Sequence, residues 1–138
     1  MDKNFDIYGM DSRLEGAIHD IKNSKEICKK NKGNILEFSE HCFAEGLSKA
    51  RIEKYTRTLG KIAILLEKPF TDAIKKDIEK LVAKIEKKDY SDWTKKDYKV
   101  ALKKFYKWFR DSEEYPEEVR WIKTTILGVC KIRVGDFC

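Results

Sequence analysis

Apolar side chains recur along this chain at spacings of three and four residues, and strict alternation is nowhere sustained, so the pattern predicts helix throughout. A first helix is expected from Ser12 to Lys30, with Leu14, Ala17, Ile18, Ile21 and Ile27 near helical spacing. After Asn31, Lys32 and Gly33, a second helix carries Ile35, Leu36, Phe38, Cys42 and Phe43, and Gly46 stands where a left-handed residue stops a helix. Ser48 is the expected N-cap of a third helix, whose Ile52, Tyr55, Leu59, Ile62, Ala63 and Leu66 form one apolar stripe ending before Pro69.

Thr71 is a candidate cap for a fourth helix with Ile74, Ile78, Leu81, Val82 and Ile85 at helical spacing. Thr94, with Asp97 three residues on, has the capping-box arrangement and opens a fifth helix that turns Tyr98, Ala101, Leu102, Phe105, Trp108 and Phe109 inward. A short sixth helix is expected from Pro116 to Thr124, with Glu117 and Glu118 against its N-terminal dipole. The closing ILGVCKIRVGDFC has no clear period. The predicted class is all-α, a bundle of four to five helices with an extra N-terminal helix.

At 138 residues, 41% hydrophobic, the chain has the length and apolar content of one ordinary domain. No window approaches about 18 uninterrupted apolar residues, and no apolar run follows a basic start, so neither a membrane span nor a signal peptide is expected and the cytoplasm is the expected location. Cys28, Cys42, Cys130 and Cys138 are irregularly spaced and read as free thiols. His19 and His41 lack a ligand pattern, so no metal and no cofactor is expected.

Charge changes the picture through its distribution. The formal net charge is +6. Residues 1–45 hold 7 basic and 9 acidic residues, 46–110 hold 19 and 9, and 111–138 hold 4 and 6, so the whole excess lies in the middle of the chain. Such concentration is the electrostatic footprint of a polyanion-binding protein, although lysine-rich faces are also ordinary solvated surface. In the fifth helix Lys96, Lys99, Lys103, Lys107 and Arg110 advance by 3, 4, 4 and 3, which predicts a basic rail opposite Tyr98, Leu102 and Phe105. In the third, Arg51, Lys54 and Lys61, with Thr58, form a shorter row flanked by Lys49 and Arg57.

The order of three segments, EGLSKARIEKYTRTLGKIAILL, FTDAIKKDIEKLVAKI and YSDWTKKDYKVALKKFYKWF, resembles the N-terminal core-binding, or SAM-like, domain of phage-integrase-type tyrosine recombinases, in particular archaeal ones. Ser48, Ile52, Tyr55 and Leu59 fit the first part of that pattern, Asp77 and Ile78 the middle, and Thr94, Tyr98, Leu102, Phe105 and Trp108 the last. The resemblance implies three segments: an N-terminal helical extension at 1–33, a core-binding domain at 34–124, and a tail at 125–138. It also implies half of a C-shaped clamp around double-stranded DNA, with the third and fifth helices approaching the major groove. Carried over by position, the implied DNA-binding residues are Ser48, Lys49, Arg51, Lys54 and Arg57 on one helix, and Thr94, Lys95, Lys96, Lys99 and Lys103 on the other. Recombinases of this type keep their tyrosine nucleophile and arginine-rich site in a separate C-terminal domain that this sequence does not include, so no catalysis is expected of it.

No residue constellation supports an enzyme. Tyr55, Tyr98 and Tyr106 lie on apolar or boundary stripes without an Arg/His cluster nearby in sequence. Trp93, Trp108 and Trp121 have the chemistry to stack on bases, but periodicity assigns Trp108 to the core and the other two to helix edges. The competing reading is a protein-interaction bundle that docks on or regulates a full-length recombinase, or pairs with a second copy of itself.

Overall fold

The structure, a computed structural model, describes residues 9–124. Six α-helices form, α1 (Gly9–Asn23), α2 (Lys29–Ala44), α3 (Lys49–Leu66), α4 (Lys75–Lys87), α5 (Asp92–Phe109) and α6 (Glu117–Arg120), and there is no strand among the described residues. The all-α class expected from periodicity is therefore the observed one. The chain divides between Ala73 and Ile74 into two compact units, so the boundary falls inside the segment expected to be one core-binding domain.

In the first unit α1 and α2 both pack on α3. Leu14, Ala17 and Ile21 of α1, Ile35, Phe38 and Cys42 of α2, and Ile52, Leu59, Ile62 and Ala63 of α3 are buried. Those positions recur at three and four residues, the spacing that keeps side chains on one helix face. The helix expected as an extension is thus built into this unit's core. At Gly60 a β-carbon would stand 2.6 Å from Ile21 Cδ1, so this glycine lets α1 and α3 approach closely. Ser39 and Thr56 are buried in the same layer with their hydroxyls 2.8 Å apart, which satisfies polar atoms that water cannot reach.

Local chemistry explains most helix ends. Gly46 takes φ +81, and the N–H groups of Gly46 and Leu47 donate to the carbonyls of Phe43 and Cys42, closing α2 with a Schellman motif where the sequence predicts a stop. Ser48 caps α3 as expected, its Oγ accepting from the Arg51 N–H at 3.2 Å.

The expected break at Asn31, Lys32 and Gly33 is displaced. α1 already ends at Asn23, and those three residues lie inside α2. The reason is tertiary: Asn31 is buried, its Oδ1 accepts from the Phe70 N–H at 2.9 Å, and its Nδ2 donates to the Lys68 carbonyl at 3.0 Å. A residue read as a helix breaker is a clamp on the segment after α3. That clamp also corrects the expected cap at Thr71, because Phe70–Asp72 is held as a 3-10 turn and the Thr71 hydroxyl bonds Asp72 instead. α4 begins at Lys75, with Asp77 Oδ2 accepting from the Ile74 N–H at 3.0 Å.

In the second unit α4, α5 and α6 pack on one another. Ile78, Leu81, Val82 and Ile85 of α4 and Tyr98, Ala101, Leu102, Phe105 and Tyr106 of α5 are buried, as are Val119 and Ile122. Trp108 and Phe109, expected inside, are half-buried, and their rings pack on Phe105 at 5.7 and 5.3 Å between centroids. α5 starts a turn earlier than expected. Its cap is Ser91, whose Oγ accepts from the Thr94 N–H at 3.2 Å. Thr94 therefore lies within the first turn, where Asp92 precedes it against the helix dipole. The sixth helix is a single turn, Glu117–Arg120, and stops short of Thr124. The expected aperiodic tail and two of the four cysteines, Cys130 and Cys138, lie outside the described residues, while Cys28 and Cys42 form no disulfide among the described residues.

Candidate nucleic-acid interface

The residues expected to touch DNA fall in different units, with Ser48, Lys49, Arg51, Lys54 and Arg57 in the first and Thr94, Lys95, Lys96, Lys99 and Lys103 in the second. In α3, Ser48, Lys49, Arg51 and Lys54 are exposed around a capped helix N-terminus, with Lys61 exposed further along. Thr58, expected in this exposed row, is buried, because it flanks the Leu59 and Ile62 stripe that α1 and α2 cover.

Arg57 is occupied. Its Nε donates to Glu53 at 2.9 Å, its Nη1 to Asp20 at 3.2 Å and its Nη2 to the Arg13 carbonyl at 3.3 Å, tying α3 to α1. The Glu53 hydrogen bond, reinforced by Asp20, raises its pKa further above the usual arginine range. Beside it, Ala17, Ile21, Ile27 and Ile64 floor an open groove of about 290 Å³ with Asp20 and Lys61 among its lining.

The basic rail of α5 is not the open face that spacing predicts. Lys99 and Lys95 have side chains only 16% and 19% exposed, and both face Glu86 of α4. Lys99 forms an ion pair with that carboxylate, and Lys95 Nζ donates to the Glu86 carbonyl at 3.0 Å. Lys103 Nζ donates to the Ile122 carbonyl at 3.0 Å and lies 4.5 Å from the centroid of the Tyr115 ring, which Lys107 also approaches at 5.2 Å. Arg110 pairs with Glu118 at 2.9 Å. The segment from Tyr115 to Ile122 thus sits along the C-terminal part of the rail, and Glu86 takes its start. Only Lys96 escapes both, resting 5.4 Å from the Trp93 ring centroid.

Within the second unit the open basic row lies on α4 instead. Lys76, Lys80, Lys84 and Lys87 are all exposed, opposite the buried Ile78, Leu81, Val82 and Ile85, and Lys75 and Lys88 flank them. Their spacing of 4, 4 and 3 was available in the sequence, by the same arithmetic that marks α5. What differs is exposure: the four α4 lysines are exposed, whereas Lys95, Lys99, Lys103 and Lys107 of α5 are half-buried against Glu86 and the Tyr115–Ile122 segment.

Among the described residues there is no cluster of three or more His, Cys, Asp and Glu side chains able to hold a metal, and no helix is long and apolar enough to cross a membrane. The arrangement offers positive charge, hydroxyls and capped helix ends, the donors that phosphate groups accept from. No family model, no curated protein and no solved structure matches this chain.

Proposed function

We propose that this chain binds double-stranded DNA and serves as the DNA-gripping part of an integrase- or recombinase-type system. The observation that supports it most is the segregation of charge: residues 46–110 hold ten more basic than acidic residues, and the exposed N-terminal turns of α3 and the outer face of α4 display much of that excess. Lysines spaced along a helix face neutralise successive phosphates and release condensed counterions, a sequence-independent source of affinity. The order of capped helices between Ser48 and Trp108 supports the recombinase half of the reading through the resemblance that rests on it. The contact set differs from the one the resemblance implies. Ser48, Lys49, Arg51 and Lys54 remain in it, α4 supplies Lys76, Lys80, Lys84 and Lys87, Lys96 represents α5, and Arg57 is a structural tie. A DNA partner also fits a cytoplasmic location.

Fluorescence anisotropy of a labelled duplex, titrated at several salt concentrations, tests this directly. The expected result is binding in the ~10⁻⁴ to 10⁻⁶ M range typical of non-specific contacts, weakening steeply with salt. Absence of binding at ~50 mM salt, where phosphate contacts are strong, overturns the proposal.

A further inference from the structure

Trp93 is 61% exposed, although tryptophan is among the side chains that gain most from burial. Its place in α5 accounts for the exposure. It precedes the buried Tyr98 by five residues, and at about 100° per residue this turns it roughly 140° from the stripe that faces the core. Turning α5 about its axis to bury it would turn Tyr98 out of the core. Lys96, one turn on, rests over the ring, and neither Glu86 nor the Tyr115–Ile122 segment engages it. An indole with an ammonium over one face, and the other face left for stacking, thus stands at the start of an 18-residue helix, just after the exposed Lys87 and Lys88.

We infer that Trp93 stacks on an unpaired nucleobase, with Lys96 meeting the adjoining phosphate, so that the nucleic acid recognised here includes a single-stranded end or junction. The inference rests on the DNA-binding reading and narrows it. Aromatic rings bind bases face to face, and in continuous duplex both faces of every base are already covered by neighbours. A stacking tryptophan therefore selects a base that has left the stack. Charge points to one nucleotide rather than a run: from Lys87 to Asp97 four lysines stand against three aspartates, an excess of one positive charge over this stretch.

The test compares a labelled blunt duplex with the same duplex carrying a single-stranded thymine overhang, using the full chain and its Trp93→Ala and Trp93→Phe variants. The outward position of Trp93 means that both variants should fold, which circular dichroism checks. The expected result is tighter binding of the overhang DNA with quenching of tryptophan fluorescence. Trp93→Ala should lose roughly 5- to 150-fold on that DNA alone, the usual worth of one stacked base. Trp93→Phe, which keeps a stacking ring, should retain most of the preference. Equal affinity of wild type and Trp93→Ala for the overhang DNA overturns the inference, as does an equal loss on both DNAs. If the blunt duplex binds while Trp93→Ala is indistinguishable from wild type, stacking falls and duplex binding stands. If only the overhang DNA binds and the quench depends on Trp93, the duplex reading falls and stacking stands.

Discussion

Replacing the four outward lysines of α4 by glutamine, in the variant K76Q/K80Q/K84Q/K87Q, should remove about half of the salt dependence of DNA binding, since they are four of the eight cations in the contact set. From Lys76 to Lys87 the helix rises roughly 16 Å at about 1.5 Å per residue. One strand of B-DNA presents a phosphate about every 3.4 Å of axis, so roughly five phosphates lie within that reach and each of the four lysines can meet one. With a slope of about −0.9 per neutralised phosphate, losing four contacts lowers the steepness of log K against log salt by about 3.6. Between ~50 and ~200 mM salt, the wild type should then lose on the order of 150-fold more affinity than the variant. The companion variant K95Q/K99Q/K103Q should change the slope by less than about 1, because these lysines already hold the Glu86 side chain, the Glu86 carbonyl and the Ile122 carbonyl. Recruiting Lys99 costs its pairing with the half-exposed Glu86, on the order of 0.2–1 kcal/mol, which offsets part of any phosphate contact. Anisotropy titrations at four or more salt concentrations read the slopes, and urea melts supply the control. The α4 variant should stay within about 0.5 kcal/mol of wild type because its side chains are exposed. An unchanged slope for the α4 variant, or a larger loss for the α5 variant, would refute the assignment of the footprint.

Three further outcomes test the fold that positions these faces. Asn31→Ala leaves the buried Phe70 N–H without its acceptor and should cost about 1–3 kcal/mol in urea melts, and Asn31→Asp should cost at least as much at neutral pH because its buried carboxylate would face the Lys68 carbonyl; an unaffected Asn31→Ala would show that the clamp contributes nothing. Ser91→Ala should destabilise by about 1 kcal/mol and Thr94→Ala by less than half of that, since the cap of α5 is Ser91; the reverse ranking in thermal melts would restore Thr94 as the cap. Burial raises the pKa of the Tyr106 phenol above its ordinary value, so its stabilising effect is complete below about pH 10 and falls as the unfolded chain ionises above that. The stability gap between wild type and Tyr106→Phe should narrow or invert from about pH 10 upward, by at most about 1.4 kcal/mol per pH unit, and a gap that is flat with pH contradicts the burial argument.

Periodicity alone was enough for the helical class and for most of the buried stripes of α3, α4 and α5, because a helix of 3.6 residues per turn writes its core face into the spacing of apolar residues. Of the residues expected on those stripes, Ile74 is exposed at the N-cap position of α4, and Tyr55, Trp108 and Phe109 are half-buried. The stop at Gly46 and the cap at Ser48 were equally local: a left-handed residue and a hydroxyl three residues before an amide need no distant partner. Asn31 and Thr71 were misread because their roles depend on each other's neighbourhoods across the first unit, where one buried amide fixes the backbone around Phe70. The α5 rail was misread for a related reason. Spacing gives the angular position of a lysine on its own helix but not what packs beside it, and the Tyr115–Ile122 segment and Glu86 arrive from elsewhere in the second unit. That the charge excess belongs to residues 46–110 is a property of the sequence; that α4 and the first turns of α3 display it openly, while most of α5 spends it internally, was decided only by tertiary packing. A charge reaches a ligand most readily where folding leaves its side chain exposed, as on α4, and least where a neighbouring segment covers it, as along most of α5.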